Sequence, residues 1–208
     1  LQTKNIEPLQ KIFHDPKKIK DLKAVSKIPV SIVASDWKLF IPTTLKQALE
    51  VKNKYPTTRI VAGATDLGVM VNKGRDEYQS IMSLQNITSL REIDKAKAVW
   101  QIGSRVSLTK LQNYFAEEFP ELDGMLNIFA SPQIKNSGTL VGNVVNASPI
   151  SDTIPFLMVT DAFVKVQSLK KNRLIPMDEF FLGYKKLNLK ANEVVTAIHL
   201  PRHQGKQF

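Results

Sequence analysis

Hydrophobic and polar positions are most clearly patterned from Trp37 onward, where they predict a strand, a helix and a second strand. The short apolar run 38–42 predicts the first strand. A capping threonine followed by apolar residues at helical spacing predicts the helix within 43–55. The β-branched run 58–62, bounded by Gly63, predicts a buried second strand. A strand–helix–strand unit of this kind favours parallel pairing through a right-handed crossover.

Beyond this unit the pattern mixes strands with helices. The predicted strands and hairpins cover 80–84, 92–103, 163–176 and 194–200, and the predicted helices cover 107–115, 120–129, 154–159 and 177–182. The stretch after Pro132, through Val145, is typical of a loop. The order of elements favours an α+β fold, with a small parallel βαβ subdomain over about 37–92 and a larger mixed α/β subdomain over about 93–208.

Residues 1–36 differ from this globular part because their apolar residues have no sustained period and lysines are frequent. They predict a linker-like N-terminal segment with one short helix. The chain begins with leucine and stops soon after a predicted strand, so we expect it to be a piece of a longer protein.

Composition narrows the class of protein without deciding it. Apolar residues make up 43% and charged residues 23%, as in ordinary soluble domains. The longest apolar runs are far shorter than the roughly 20 residues of a spanning helix, so we expect no membrane association. The chain has no cysteine, which excludes disulfides, thiolate metal sites, iron–sulfur clusters and a cysteine nucleophile within it. With no signal peptide visible, the expected compartment is the cytoplasm.

The formal net charge is +10, from 29 lysines and arginines against 19 aspartates and glutamates. Such an excess is compatible with a nucleic acid, an acidic partner, an anionic ligand or a solvated surface. The basic residues are dispersed and no RRM, KH or helix-turn-helix signature is present, so we expect no nucleic-acid partner. A non-enzymatic anion or nucleic-acid binder remains a distant alternative.

Two glycine-bearing segments are the main candidates for chemistry. The first glycine loop, residues 62–68, directly follows a predicted strand, where glycine permits a sharp turn and a close approach of backbone amides to an anion. The second glycine segment, residues 138–143, is followed closely by Asn146, Ser148, Ser151 and Asp152. Together they suit a diphosphate with attached sugars, in which Asp152 either accepts a hydrogen bond from a sugar hydroxyl or only caps the following helix.

Other kinds of site have weaker support. Neither segment matches G-x-G-x-x-G or G-x-x-x-x-G-K-[ST], which disfavours a Rossmann site and a P-loop. His14, His199 and His203 do not recur with carboxylates at metal-ligand spacing, so we predict no metal site. No G-x-S-x-G is present. Phe129 has two interpretations, core packing and stacking on an aromatic ligand.

The stretch Phe129 to Asn143, FASPQIKNSGTLVGN, continuing to the ASPISD of 147–152, resembles the FAD-binding segment of the xanthine dehydrogenase family. The first glycine loop is similar to that family's other pyrophosphate loop. The FFLGYKK of 180–186 and the strand-like run 194–201 resemble later segments of the same domain. The resemblance runs from about Trp37 to the end and is nearest to the bacterial small-subunit type.

The resemblance implies an FAD-binding domain of the vanillyl-alcohol-oxidase-like (PCMH) type, with FAD between two subdomains. It assigns no catalytic residue. The implied FAD-binding residues are the pyrophosphate loop Ile60, Val61, Ala62, Gly63, Ala64, Thr65, Asp66 and Leu67, the opposing Thr139, Leu140, Val141, Gly142 and Asn143, then Phe129 near the adenine, Asp152 at a sugar hydroxyl and the Val195 backbone toward the flavin.

In this family, substrate is oxidised at a molybdenum cofactor elsewhere, and electrons pass through [2Fe-2S] clusters to FAD and then to NAD+. The resemblance therefore implies non-covalent FAD, an upstream [2Fe-2S] domain and a molybdenum-cofactor subunit as partners, and a further C-terminal flavoprotein domain that this chain lacks. A sibling alternative is the flavoprotein medium subunit of a carbon monoxide or aldehyde dehydrogenase. That subunit begins almost at its first strand, whereas about 36 residues precede it here.

One position departs from the family's pattern. Val141 stands where Gly-Gly-Asn would have its first glycine. A valine is costly if the backbone there needs a positive φ or a close phosphate approach. On that interpretation, replacing Val141 with glycine is expected to tighten FAD binding.

Overall fold

The computed structural model of the chain describes residues 15–96 and 98–202. Its helices are α1 Pro16–Val25, α2 Leu45–Lys54, α3 Thr65–Asn72, α4 Leu108–Phe115, α5 Pro120–Ile128, α6 Pro132–Ser137, α7 Leu140–Asn146, α8 Thr153–Val159 and α9 Met177–Phe180, with a 3-10 turn at Thr88–Arg91. Its strands are β1 Val30–Val33, β2 Lys38–Ile41, β3 Arg59–Val61, β4 Ser80–Ser83, β5 Ile93–Ala96, β6 Val99–Gly103, β7 Phe163–Gln167, β8 Asn172–Pro176, β9 Phe181–Gly183, β10 Lys186–Leu187 and β11 Val194–Pro201.

The small subdomain contains the predicted parallel unit. Its sheet has the order β1-β2-β4-β3, with β4 parallel to both β2 and β3. The crossover helix α2 begins with a capping box, in which the Thr44 side chain accepts from the Gln47 amide and the Gln47 side chain accepts from the Thr44 amide. The predicted burial of the second strand is wrong. Because β3 lies at the edge of the sheet, Ile60 and Val61 are only half-buried.

The segment predicted to be linker-like contains more regular structure than one helix. Helix α1 is capped by Asp15 and buries none of its residues. Strand β1 pairs antiparallel with β2 from Val30 opposite Ile41 to Val33 opposite Lys38. The small sheet therefore begins before Trp37, with a strand too short and too exposed to produce a hydrophobic pattern. Residues 1–14 lie outside the described residues.

The larger subdomain is built on a five-stranded antiparallel sheet of order β5-β6-β11-β7-β8. The predicted last strand, β11, is central, pairing with β6 on one side and β7 on the other. Six of its eight residues are buried, and the two half-buried ones are His199 and the terminal Pro201. The two predicted hairpins, β5–β6 and β7–β8, are confirmed.

Two sequence predictions fail in the larger subdomain. The stretch after Pro132 is helical, because Ser131 and Thr139 cap α6 and α7 and because Leu140, Val141 and Val144 are buried in the core. Tertiary packing overrides the weak helix propensity of its Gly, Ser and Asn residues. The predicted helix 177–182 ends at Phe180, and the chain continues as β9.

The two subdomains are joined by close backbone contacts. A Cβ on Gly103 would lie 2.3 Å from the Leu90 carbonyl oxygen, so a side chain there has no room. The Gly103 amide donates to Glu92 O at 3.0 Å, and the Arg105 amide donates to Leu90 O at 2.7 Å. The end of β6 is thereby fixed against the last turn of the small subdomain.

Candidate functional site

The first glycine loop connects β3 to α3. Ala64 occupies the left-handed region with φ 60°, a conformation in which a Cβ is disfavoured. Helix α3 begins after it with no capping side chain. The first backbone amides of a helix have no intrahelical acceptor, so the amides of Thr65, Asp66 and Leu67 remain free to bind an acceptor from outside the helix.

The two glycine segments are in direct contact. A Cβ on Gly63 would lie 2.1 Å from the Ser137 carbonyl oxygen and 3.0 Å from Gly138 Cα. A Cβ on Gly138 would lie 3.6 Å from the Thr65 hydroxyl oxygen. Segments separated by more than seventy residues in sequence therefore form one surface, as the diphosphate interpretation requires.

The second glycine segment is the start of α7 and not a loop. Thr139 caps it by accepting from the Gly142 amide at 3.0 Å, and its hydroxyl hydrogen is still available for donation. Gly138 O accepts from the Leu108 amide at 2.9 Å, and Thr139 forms an isolated bridge with Ser107. The segment is thereby fixed to the beginning of α4.

Val141 does not carry the backbone strain that the sequence comparison raised. It lies in α7, is absent from the residues with positive φ in the described chain, and is 5% exposed. Leu140 is buried beside it. Because both side chains pack in the core, only their backbone groups can face a ligand. The positive φ on which the Val141→Gly expectation depended is not present.

Asn143 and Asp152 lie at the junction of α7 and α8. Asn143 Oδ1 accepts from the Ser151 hydroxyl and from the Thr153 hydroxyl, the latter at 2.6 Å. Asp152 is exposed and its carboxylate makes no capping hydrogen bond. Of the two roles that the sequence left open for Asp152, the carboxylate is therefore free for the sugar-hydroxyl role.

Phe129 and Val195 are placed by the larger core. Phe129 is the C-terminal cap of α5 and packs, half-buried, against that core. Val195 is 5% exposed and lies where the β11–β7 register shifts, between Val195 and Ala197. In the described residues, neither shares a hydrogen bond with the two glycine segments. Their predicted ligand contacts remain predictions.

The sequence interpretation missed the segment Ser104–Leu108, which touches each of the predicted parts. The Arg105 guanidinium donates through Nη1 to the Ala62 carbonyl oxygen in the first glycine loop. The Ser104 amide donates to Thr196 O, next to Val195, at 2.9 Å. Ser107 and Leu108 contact the second glycine segment as described above. The signal that could have found it is Gly103, a third glycine, which ends strand β6.

This segment also carries uncompensated positive charge. Burial and the nearby Arg91 charge lower the pKa of Arg105 from its ordinary value. Among the described residues no carboxylate pairs with Arg105, and its buried Nε has no hydrogen-bond partner. The Ser104 hydroxyl is buried and unpartnered as well. A cation with a like-charged neighbour and no carboxylate favours an anion nearby.

The comparison with known families decides what this surface belongs to. Residues 34–203 match the family described as the FAD binding domain in molybdopterin dehydrogenase. The chain belongs to this family. The resemblance found in the sequence is thereby confirmed, and so is the fold class.

Individual relatives agree with the family. The xanthine dehydrogenase of Oryza sativa subsp. japonica is 33% identical over 179 residues, covering 80% of this chain and 13% of that protein. The xanthine dehydrogenase/oxidase of Gallus gallus is 31% identical over 180 residues, again covering 80% of this chain and 13% of the relative. The chain therefore spans about an eighth of the length of these relatives.

Solved structures show the same fold. The cyanide-inactivated Cu,Mo-CO dehydrogenase has a TM-score of 0.77 at 20% identity, with 83% of this chain and 62% of that chain covered. Quinoline 2-oxidoreductase from Pseudomonas putida 86 has a TM-score of 0.74 at 22% identity, with 84% and 61% covered. At these identities the likeness concerns the fold of the FAD-binding domain.

The residues present fit the cofactor of the FAD-binding family. Gly63 and the Ser137 carbonyl leave no room for a side chain at the contact of the two segments, the first amides of α3 have no cap, and Arg105 has no carboxylate partner. Free amides and excess positive charge are what a diphosphate requires.

Over residues 15–96 and 98–202, no group of three metal-ligating side chains is assembled, and no helix is long and apolar enough to cross a bilayer. His199 lies on the sheet and pairs with Gln101, while His14 and His203 lie outside the described residues.

Proposed function

We propose that this chain binds FAD non-covalently as the flavin domain of a xanthine dehydrogenase-type molybdenum hydroxylase. The observation that carries the proposal is the contact of Gly63 with Ser137 and Gly138, which joins the two segments predicted to hold one diphosphate. Membership in the FAD-binding family supports the identity of the dinucleotide.

The proposed role of each residue depends on whether its backbone or its side chain is available to the cofactor. The diphosphate lies against the backbone of residues 60–67 on one side and of 139–143 on the other, with the Thr139 hydroxyl as an additional donor. Leu140 and Val141 contribute backbone only, since their side chains are buried. The Asp152 carboxylate accepts from a sugar hydroxyl, Phe129 lies near the adenine, and the Val195 backbone approaches the flavin.

The chemistry that FAD supplies when bound is the exchange between one-electron and two-electron transfer. The residues of this chain hold and orient it. Because the chain has no cysteine, the [2Fe-2S] clusters that deliver electrons belong to an upstream domain, and no cysteinyl link to the flavin can form. Substrate oxidation belongs to a molybdenum-cofactor subunit, and NAD+ is the proposed acceptor. The cytoplasm remains the expected compartment.

The sibling hypothesis, a medium flavoprotein subunit of a carbon monoxide or aldehyde dehydrogenase, makes a different prediction about the gene. Sequence identity favours the xanthine dehydrogenase type, at 33% and 31% for two of its members. A gene that encodes clustered cysteines upstream of residue 1 would support the proposal, whereas a gene that begins near residue 1 would support the medium subunit.

The test of the cofactor is a titration of the purified chain with FAD and, as a matched control, with FMN. FMN carries the same isoalloxazine ring but lacks the diphosphate and the adenosine. We expect FAD to be retained on gel filtration, FMN to bind at least tenfold more weakly, and acid denaturation to release all flavin. Equal affinity for the two flavins would contradict the diphosphate assignment. Retention of neither, together with salt-sensitive binding to DNA, would favour the nucleic-acid alternative.

A further inference from the structure

We propose that Arg105 is a positioning residue, which holds the first glycine loop in the geometry that binds the diphosphate. The effect on the loop is independent of any ligand. The consequence for FAD affinity rests on the proposed function.

Arg105 links the two subdomains through its backbone and its side chain together. Its amide donates to Leu90 O at 2.7 Å, and its guanidinium Nη1 donates to the Ala62 carbonyl oxygen. Leu90 and Ala62 both belong to the small subdomain, whereas Arg105 follows β6 of the larger one. One residue thereby fixes the carbonyl that immediately precedes Gly63.

The first glycine loop needs a restraint from outside because interactions within the loop do not fix its conformation. Ala64 is held at φ 60°, and α3 starts without a capping side chain. A non-glycine residue persists in the left-handed region only where its surroundings fix it. The surroundings here are the contact of Gly63 with Ser137 on one side and the Arg105 hydrogen bond to Ala62 on the other.

The side chain of Arg105 is suited to this role and not to a structural ion pair. It is half-buried, it has no carboxylate partner among the described residues, and its guanidinium hydrogen-bonds a neutral carbonyl. Its charge is therefore not neutralised within the described part of the chain. An anion bound by the amides of 65–67 would gain from both the fixed loop and the positive charge of Arg105.

The experiment compares Arg105→Met with Arg91→Met in the ligand-free 208-residue chain by hydrogen exchange. Both variants remove one positive charge from the junction, but only Arg105 bonds the loop, since Arg91 donates to Gln85 O. We expect the hydrogen-bonded amides of α3, residues 68–72, to exchange at least tenfold faster in Arg105→Met and at the wild-type rate in Arg91→Met. Amides of β11 are expected to be unchanged in both.

FAD affinity gives the second readout. We expect Arg105→Met to weaken FAD binding at least tenfold at both 50 mM and 500 mM NaCl. Arg91→Met is expected to weaken it less than twofold at high salt, because long-range attraction is screened. Arg105→Lys, which keeps a charge and a donor, is expected to restore part of both the exchange protection and the affinity.

The outcomes separate this inference from the proposed function. Wild-type exchange rates for the hydrogen-bonded amides 68–72 in a folded Arg105→Met chain would overturn the positioning role, whether or not FAD binds. If that variant does not fold, a folded Arg105→Gln chain with wild-type exchange overturns it equally. Equal, salt-sensitive losses in Arg105→Met and Arg91→Met would replace positioning by simple charge attraction. A wild-type chain that binds no FAD would refute the proposed function, while the exchange data still decide the role of Arg105.

Discussion

The contact between the two glycine segments is tested most directly by replacing Gly63 with alanine. The added Cβ would lie 2.1 Å from Ser137 O, 2.7 Å from Ser137 C and 3.0 Å from Gly138 Cα. All three atoms are backbone, so no flexible side chain can turn aside. The second segment, or the first, has to move.

The size of that movement follows from the distances. An ordinary Cβ contact begins near 3.4 Å, so the two backbones have to separate by about 1.3 Å at this point. Overpacking of this kind costs about 1–3 kcal/mol of stability. Gly138 is tied to Leu108 and to Ile134, which limits how far it can yield, and we therefore expect a loss near the upper end of that range.

Gly68→Ala is the matched control. It makes the same chemical change five residues away, inside α3, where the new Cβ has no atom within 4 Å. Alanine is favoured over glycine in a helix by about 1 kcal/mol, so the control is expected to be as stable as the wild type or more stable. The two substitutions should therefore change the free energy of unfolding in opposite directions.

The assay is urea unfolding followed by circular dichroism, with FAD titration of each folded chain. We expect Gly63→Ala to lower the unfolding midpoint and to weaken FAD binding at least tenfold, which corresponds to about 1.4 kcal/mol. Gly68→Ala is expected to leave FAD affinity within twofold of the wild type. A Gly63→Ala chain as stable as the wild type would refute the close approach of the two segments.

Three further predictions concern the core and the sheet. Val141→Gly should destabilise the chain by about 3 kcal/mol in urea unfolding, because buried valine surface is lost and a helical glycine has a higher entropy cost. The same substitution should not tighten FAD binding. Tighter binding would restore the interpretation that Val141 is strained. Burial, followed by the charge of Lys165, lowers the pKa of His199, so the folded chain resists protonation more than the unfolded chain does. Stability should therefore fall as the pH drops below about 6.5 toward the folded pKa. His199→Gln should reduce the difference between unfolding midpoints measured at pH 8 and at pH 5. An unchanged difference would assign the pH dependence of stability to other groups. Arg173 donates hydrogen bonds of 3.0 and 2.7 Å to Glu193, which is 3% exposed. Arg173→Met should therefore lower the free energy of unfolding by about 3 kcal/mol, because it leaves a buried carboxylate unpaired. The double variant Arg173→Met/Glu193→Leu should recover much of that stability.

Burial acts to raise the pKa of Glu193, but the hydrogen bonds from Arg173 and from the Lys190 amide prevail and hold it below its ordinary value. The ion pair therefore contributes stability above the unfolded pKa of glutamate, about 4.3, and loses it as the pH falls through the lower folded pKa. This acid-side loss differs from that of His199, which begins at a higher pH, near the unfolded pKa of histidine, about 6.5. Unfolding midpoints between pH 5 and pH 3 should show it in the wild type and not in the double variant.

The sequence was sufficient for features that depend on local patterning. The threonine cap of α2, the helix over 107–115 and the hairpins of the larger sheet were all predicted where they occur. The family resemblance in 129–152 was confirmed as well. Local propensity and alternation determine these features because each involves residues close together in the chain.

The features that only the tertiary structure decided involve residues far apart in sequence. Residues after Pro132 are helical because Leu140, Val141 and Val144 enter a core whose other members lie on distant strands and helices. The same packing shows that Val141 is a core residue and not a strained loop residue. Ile60 and Val61 are half-buried because β4, a later strand, takes the inner position and leaves β3 at the edge.

The site shows the same division. The sequence identified both glycine segments, but not that Gly63 lies against Ser137 or that Arg105 donates to Ala62 across 43 residues. Glycine in a sequence signals that a close approach is possible, without naming the partner. The partner is set by how β3, β6 and α7 are brought together, and that arrangement minimises the energy of the whole core and not of any one segment.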